Sequence, residues 1–235
     1  MTGSINVSAL VLRHAAYRDY DRMITLLTAE RGKVEAVVRG CRRPKSELIN
    51  AAEPFVCGQY QLYFAHERFT VTQCRVTDGF YPLRQDIDRL TQGAKWLRIL
   101  EQTSVEDEPA HEKFDLALQA LSYLAYTQTD IRLLNAMFLM KLLKIEGIAP
   151  IADRCAVCGK SALEAEMRFD ALRGGCVCSS CASNARTLSY GARRILLKAP
   201  NAPFKSVEML ATHPDWPEAA QRVNDFVRAR LNVDI

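Results

Sequence analysis

RMITLLTAERGKVEAVVR, residues 22–39, contains two short runs rich in aliphatic and β-branched residues on either side of Arg31-Gly32-Lys33. Glycine takes a positive φ at no steric cost, so the stretch predicts two strands, 22–28 and 33–39, joined by a tight turn. Outward from this pair, residues 6–13, 59–64 and 69–76 show period-two alternation or β-branched runs and predict three more strands. Residues 40–54 form a long connection containing Pro44 and Pro54, and His66-Glu67-Arg68 a short one. Five short strands in about 75 residues fit a small antiparallel barrel such as the OB fold. A small open sheet is the competing arrangement.

After Tyr81-Pro82 the period changes. Helical spacing covers residues 86–106, 111–126 and 131–145, and the breaks carry Pro109 and the cap-forming Thr129 and Asp130. Gly147 is placed as the residue that ends the third helix, with Pro150 beyond it. This helix is apolar on most sides and is expected at the centre of a small bundle. Residues 152–185 read as loop-like, and two more helices are expected over 190–198 and 217–231, separated by an irregular, proline-containing segment. The fold class is therefore α+β and multi-domain: an OB-type domain over residues 1–80 and a helical domain over 81–235 that contains a cysteine-rich element at about 152–185.

Cys155-Ala-Val-Cys158 is followed by Cys178-Ser-Ser-Cys181. Two such pairs at this separation match a tetrahedral zinc site. Each turn aims two thiolates at one centre, and Gly159 sits where a positive φ helps close the first turn. Cys155, Cys158, Cys178 and Cys181 together supply the four soft ligands that zinc prefers and leave no open position, so one structural, non-catalytic Zn2+ is expected. Cys176 could replace Cys178, at the loss of the compact turn. The other readings are a relic site that keeps its thiols without a metal, and a redox pair, for which the βαβ pattern of a thioredoxin-like site is missing. Cys41, Cys57 and Cys74 read as small apolar or loop residues.

Eight cysteines argue against a disulfide framework in a cytosolic chain. Residues 1–7 have neither a basic start nor an apolar run. The most apolar stretch, 131–150, is interrupted by Arg132, Lys141, Lys144 and Glu146, so a cytoplasmic protein is expected. The net charge of +4 is too small to imply a polyanionic partner by itself. Its distribution says more: Arg31, Lys33, Arg39, Arg42, Arg43 and Lys45 are opposed only by Glu35 and form a candidate DNA-binding patch. In the plainer reading the run is a solvated loop. Tyr60, Tyr63, Phe64 and Phe69 could stack bases, but aromatic residues on strands are more often core, and none is assigned. The four histidines form no ligand pair, Asp86 reads as a helix cap, and Asp19 and Asp21 fall in a turn. With no phosphate-cradling glycine loop, an enzyme is the poorer hypothesis.

Several blocks, taken in order, resemble the RecO family of recombination mediators: residues 9–14, Tyr20 with Leu27-Thr28, Arg31-Gly32-Lys33, residues 38–46, and Glu53-Pro54-Phe55. Further on come residues 138–150, then Cys155-x2-Cys158-Gly159, Gly174-Gly175 and Cys178-x2-Cys181. The resemblance implies an amino-terminal OB fold, a helical carboxyl-terminal domain and a zinc element in a bacterial, nucleoid-associated protein. It also implies binding of single- and double-stranded DNA, annealing of complementary strands, and help in placing the RecA recombinase on strands covered by single-strand-binding protein. RecR and the acidic tail of single-strand-binding protein are the implied partners. For that tail, Met137, Phe138 and Met140 beside Lys141 and Lys144 are an expected receptor, with the lysine pair as the carboxylate contact; the plainer reading is that these lysines only solvate the helix edge. The rival reading is a zinc-containing transcriptional regulator or protein-only adaptor.

Overall fold

The computed structural model describes residues 3–161, 166–181 and 185–231. Strands β1 (Gly3–Tyr17), β2 (Asp21–Thr28), β3 (Gly32–Val38), β4 (Cys57–Ala65) and β5 (Arg68–Asp78) form a closed barrel in the order β1-β2-β3-β5-β4. Every pairing is antiparallel except the closing one, where Ala36 and Val37 of β3 run parallel to Phe69 and Thr70 of β5. This OB-like ring is the closed form of the two arrangements the sequence allowed.

Alternation explains the interior. Val7, Ala9, Val11, Ile24, Leu26, Val34, Ala36, Tyr60, Leu62 and Val71 share one core, and residues of the β3–β4 connection, Cys41, Ala51, Ala52 and Val56, complete it. The buried Tyr60 side chain keeps its hydroxyl satisfied by donating to the Ala51 carbonyl at 2.8 Å. Around Ala9-Leu-Val-Leu12 the alternation disappears because both faces are covered, and Leu10, Leu12 and Leu27 are as buried as the inward set.

The second cover is helical. Helix α1 (Ile87–Thr103) packs against β1, and α2 (His111–Tyr126) packs against α1 and β2. Asp86 caps α1, its carboxylate accepting from the amides of Asp88 and Arg89. The link between the two helices crosses the β2–β3 turn, where the Lys33 amide donates to the Val105 carbonyl at 2.9 Å and the Ala110 amide to the Ala29 carbonyl at 2.9 Å. Gly32 lies beneath it with φ +61°, and a Cβ there would run into the carbonyl oxygens of Val105 and Glu108. Residues 1–126 thus form one compact unit, so the compact body does not end where the sequence pattern changes at Tyr81-Pro82.

Residues 127–235 make the second unit. Helix α3 (Ile131–Ile145) is its core, with Leu134 to Met140, Leu142 and Leu143 all buried. Asp130 caps it through the Arg132 amide. Its end is a Schellman motif: Gly147 has φ +69° and donates to the Lys144 carbonyl, while Ile148 donates to Leu143. Helices α4 (Tyr190–Lys198), α5 (Val207–Ala211) and α6 (Trp216–Leu231) complete the helical set, with α5 lying in the segment expected to be irregular.

The loop-like reading of residues 152–185 needs correction. Strands β6 (Met167–Asp170), β7 (Gly175–Cys178) and β8 (Arg186–Leu188) form an antiparallel sheet in the order β7-β6-β8. Met167 and Phe169 are buried on alternate positions of β6, and Phe169 meets Phe226 of α6 with ring centroids 6.3 Å apart. Asp170 closes the hairpin turn by accepting from the Leu172 and Arg173 amides. These strands have three or four residues each, too short for alternation to stand out from a turn-rich background.

Candidate nucleic-acid interface and metal centre

The cysteine site is built by two turns. In the first, the Gly159 amide donates to the Cys155 carbonyl at 2.9 Å, with φ +73° at Gly159. In the second, the Cys181 amide donates to the Cys178 carbonyl at 3.0 Å at the end of β7. Gly175 admits the first segment, since a Cβ there would collide with the Ile151 backbone. The four sulfurs of Cys155, Cys158, Cys178 and Cys181 all lie within 4.8 Å of one another. A tetrahedral centre with metal–sulfur bonds of about 2.3 Å has sulfur–sulfur edges of about 3.8 Å, and the Cys158 and Cys178 sulfurs are 3.8 Å apart. The donor set therefore fits a metal ion.

Electrostatics prepare the site. Burial opposes ionisation of Cys155, yet the amides of Cys158, Cys178 and Val157 aimed at its sulfur outweigh burial and lower its pKa to about 6. Cys178 is lowered as well, chiefly by its hydrogen bond from the Cys181 thiol, and Cys181 as proton donor is pushed up to about 12. Cys176 stands outside the cluster. It is fully buried, and burial raises its thiol to about 11 despite the nearby Arg193.

The six sequence-selected cations separate into two groups. Arg31 is ion-paired with Asp107 and lies over the Phe69 ring at 5.6 Å. Lys33 lines a hollow of about 370 Å³ shared with Glu35, Glu67, Glu106 and Asp107, so these two face carboxylates; Arg68 lines this hollow as well as the cavity lined by Arg18 and Arg39. Arg39, Arg42, Arg43 and Lys45 lie beyond the opposite end of β3, roughly 20 Å away by strand rise, and all four are exposed.

At that end the barrel assembles a cavity of about 460 Å³ from residues far apart in sequence. Tyr17 and Arg18 come from the β1–β2 loop region, Arg39 from the end of β3, and Tyr63, His66 and Arg68 from the β4–β5 hairpin. The Tyr17 ring lies 5.3 Å from the Arg18 guanidinium and 5.5 Å from that of Arg68, whose Nη1 donates to the Tyr17 hydroxyl at 2.5 Å. Asp21 also lines the cavity, with its carboxylate accepting from the Gly40 amide at 2.8 Å. The basic connection leans on the β1–β2 loop: the Arg42 amide donates to the Tyr20 carbonyl, and the Arg43 guanidinium sits 5.2 Å over the Tyr20 ring. Tyr17, Arg18, Tyr20 and Arg68 were missed in the sequence. Their signal was an arginine in each of two hairpin turns, at Arg18 and Arg68, which gains meaning only once the barrel closes.

The expected tail receptor looks different in the structure. Met137, Phe138 and Met140 are at most 2 % exposed and belong to the core of their unit, so they do not line an open hollow. Lys144 donates to the Asn201 side-chain oxygen at 2.7 Å and Lys141 to the Pro200 carbonyl at 3.4 Å. Burial, and then Lys144, lower the Lys141 pKa.

An OB-like barrel, then helices, then a four-cysteine cluster within the helical region is the architecture that the resemblance of the residue blocks implies. Comparison with known proteins agrees over nearly the whole chain. Residues 1–80 match the family model for the recombination protein O N terminal and residues 84–234 that for the recombination protein O C terminal. The chain is 31 % identical to the DNA repair protein RecO of Acetivibrio thermocellus over 82 % of its own length and 77 % of that protein. It is 33 % identical to the RecO of Anaeromyxobacter dehalogenans over 80 % and 75 % of the two chains. With the RecO of Caldanaerobacter subterraneus subsp. tengcongensis the identity is 24 %, over 98 % and 94 %. The chain belongs to the recombination protein O family, non-enzymatic mediators of recombination in DNA repair. Among the described residues no helix is long and apolar enough to cross a membrane.

Proposed function

We propose that the chain binds single- and double-stranded DNA at the cationic end of its barrel, anneals complementary strands, and helps place the RecA recombinase on strands covered by single-strand-binding protein, with RecR as a partner. The observation that carries this reading is the cavity where Arg18, Arg39 and Arg68 converge around Tyr17 and Tyr63. The two hairpin loops that frame it, β1–β2 and β4–β5, are those through which OB folds hold oligonucleotides. Cations there would contact phosphates, while tyrosine faces accept bases of any sequence. Arg42, Arg43 and Lys45 extend the same cationic end, whereas Arg31 and Lys33 are offset by carboxylates and contribute less. We assign the metal as one structural Zn2+ held by Cys155, Cys158, Cys178 and Cys181, and keep Lys141 and Lys144 as the contact for the acidic partner tail.

The deciding experiment measures binding of random-sequence single strands across a salt series, followed by annealing with and without single-strand-binding protein. Sequence-indifferent, salt-sensitive binding with annealing of covered strands is the expected result. Preference for one duplex sequence would instead support a transcriptional regulator, and no binding at all a protein-only adaptor.

A further inference from the structure

The sheet face formed by β1, β4 and β5 carries a second feature. Strand register sets residues in three parallel rows across it: Ser4–Tyr63–Thr70, Asn6–Gln61–Gln73 and Ser8–Gln59–Arg75. Apart from Tyr63 and Arg75, every member is a neutral amide or hydroxyl side chain. A cavity of about 750 Å³ lies over the second and third rows and is rimmed by Ser46, Glu47 and Leu48 of the β3–β4 connection. The continuation of the basic run Arg39 to Lys45 thus forms one of its walls.

The hydrogen-bonding state of the rows is informative. Gln59 spends one amide proton on Ser8 Oγ at 2.9 Å, and Gln61 Oε1 accepts from Thr72 Oγ1 at 2.9 Å. The side-chain amides of Asn6 and Gln73 have no hydrogen-bonding partner among the described residues. Each amide offers donors and an acceptor together, the pairing that a nucleobase edge presents in return. Thr72 lines both this cavity and the cationic one, so the two adjoin at that residue.

We infer that the amide-lined face is a base-edge subsite for unpaired nucleotides, entered from the cationic cavity, and that it makes the barrel favour single strands over duplex. The inference rests on the DNA-binding reading above. A strand whose phosphates are held by Arg18, Arg39 and Arg68 can continue across Thr72, with its bases turned toward Asn6, Gln61 and Gln73 and Arg75 beyond them. Duplex DNA has its Watson–Crick edges already paired and could offer the rows only its groove edges, whereas an unpaired strand can turn every edge of its bases to them. The pairing also accounts for the low charge of the face: a cation-rich surface would bind phosphates of either form alike.

The test compares three probes of equal length, a random single strand, the same backbone with abasic sites, and a duplex, on the full chain and on Asn6→Ala/Gln73→Ala protein. Both residues are exposed, so folding should be unaffected, and thermal unfolding checks that. Wild type is expected to bind the single strand more tightly than the abasic probe. The double variant should lose about tenfold on the single strand alone, the effect of removing roughly two hydrogen bonds. Arg18→Ala/Arg68→Ala protein should instead weaken all three probes together. Equal affinity of wild type for the normal and abasic strands, or a double variant unchanged or weakened on every probe, would overturn the base-edge subsite and leave the DNA reading standing. Failure of wild type to bind any of the three would overturn both.

Discussion

The cysteine cluster and the cationic end of the barrel are assembled in opposite ways. Each half of the cluster is local, since a three-residue spacing and one turn aim two sulfurs before any tertiary contact forms. The cationic cavity has no local half. Arg18, Arg39 and Arg68 meet only because β3 and β5 close the ring. A site made from turns shares its residues with the fold around it, so damage to one damages the other. A site made from exposed side chains on a closed ring can lose its chemistry and keep its scaffold.

That contrast is sharpest at Cys178. Cys178→Ser is expected to lose the bound metal and several kcal/mol of stability, lowering the melting temperature by roughly 10 °C or more. Cys176→Ser should keep the metal, with a cost of about 1 kcal/mol for a hydroxyl in a buried place. Elemental analysis paired with thermal unfolding reads both, and loss of metal from the Cys176 variant would transfer the ligand role.

Next in size is the turn beneath the α1–α2 link. Gly32→Ala forces a side chain into a left-handed conformation and against the Val105 and Glu108 carbonyls. A loss of roughly 2–4 kcal/mol in urea unfolding is expected. A neutral result would show that the link is not pressed on the hairpin. At the cationic end, Arg18→Ala/Arg39→Ala/Arg68→Ala should leave the melting temperature unchanged and flatten the salt dependence of single-strand binding by about two in log–log slope. Arg31→Ala/Lys33→Ala should change that slope by less than half as much, and the reverse order would move the interface to the other end of β3. The smallest effect is expected at α3, where Lys141→Glu/Lys144→Glu should weaken a labelled acidic tail peptide several-fold. Wild-type affinity in that protein would remove the helix from consideration.

Legibility in the sequence follows the same contrast. Period-two alternation and β-branched runs together located all five barrel strands, and α2, α3 and α4 have the bounds their periodicity suggests. The cysteine quartet could be read because its spacing is itself the geometry. The hairpin of β6 and β7 could not, because four-residue strands carry barely two inward positions. The apolar hollow expected beside Lys141 and Lys144 could not be judged for a different reason: Met137, Phe138 and Met140 look equally apolar whether they line a hollow or fill a core, and only packing distinguishes the two. In the sequence Arg31 and Lys33 read as part of one basic run, because Glu106 and Asp107, which lie beside them in the fold, are some 75 residues further along.

The link pressed on the β2–β3 hairpin bears on how the chain folds as it is synthesised. The Lys33 amide and the Ala29 carbonyl find their partners at Val105 and Ala110, and Leu10, Leu12 and Leu27 await cover from the helices. A nascent chain that has completed β5 at Asp78 therefore still lacks about 30 residues that its first strands require. At roughly 5–20 residues per second this leaves an interval of a few seconds in which the ring shows an uncovered apolar flank. During that interval the ribosome-bound barrel is exposed to chaperones and to neighbouring chains, a vulnerability the finished protein no longer has.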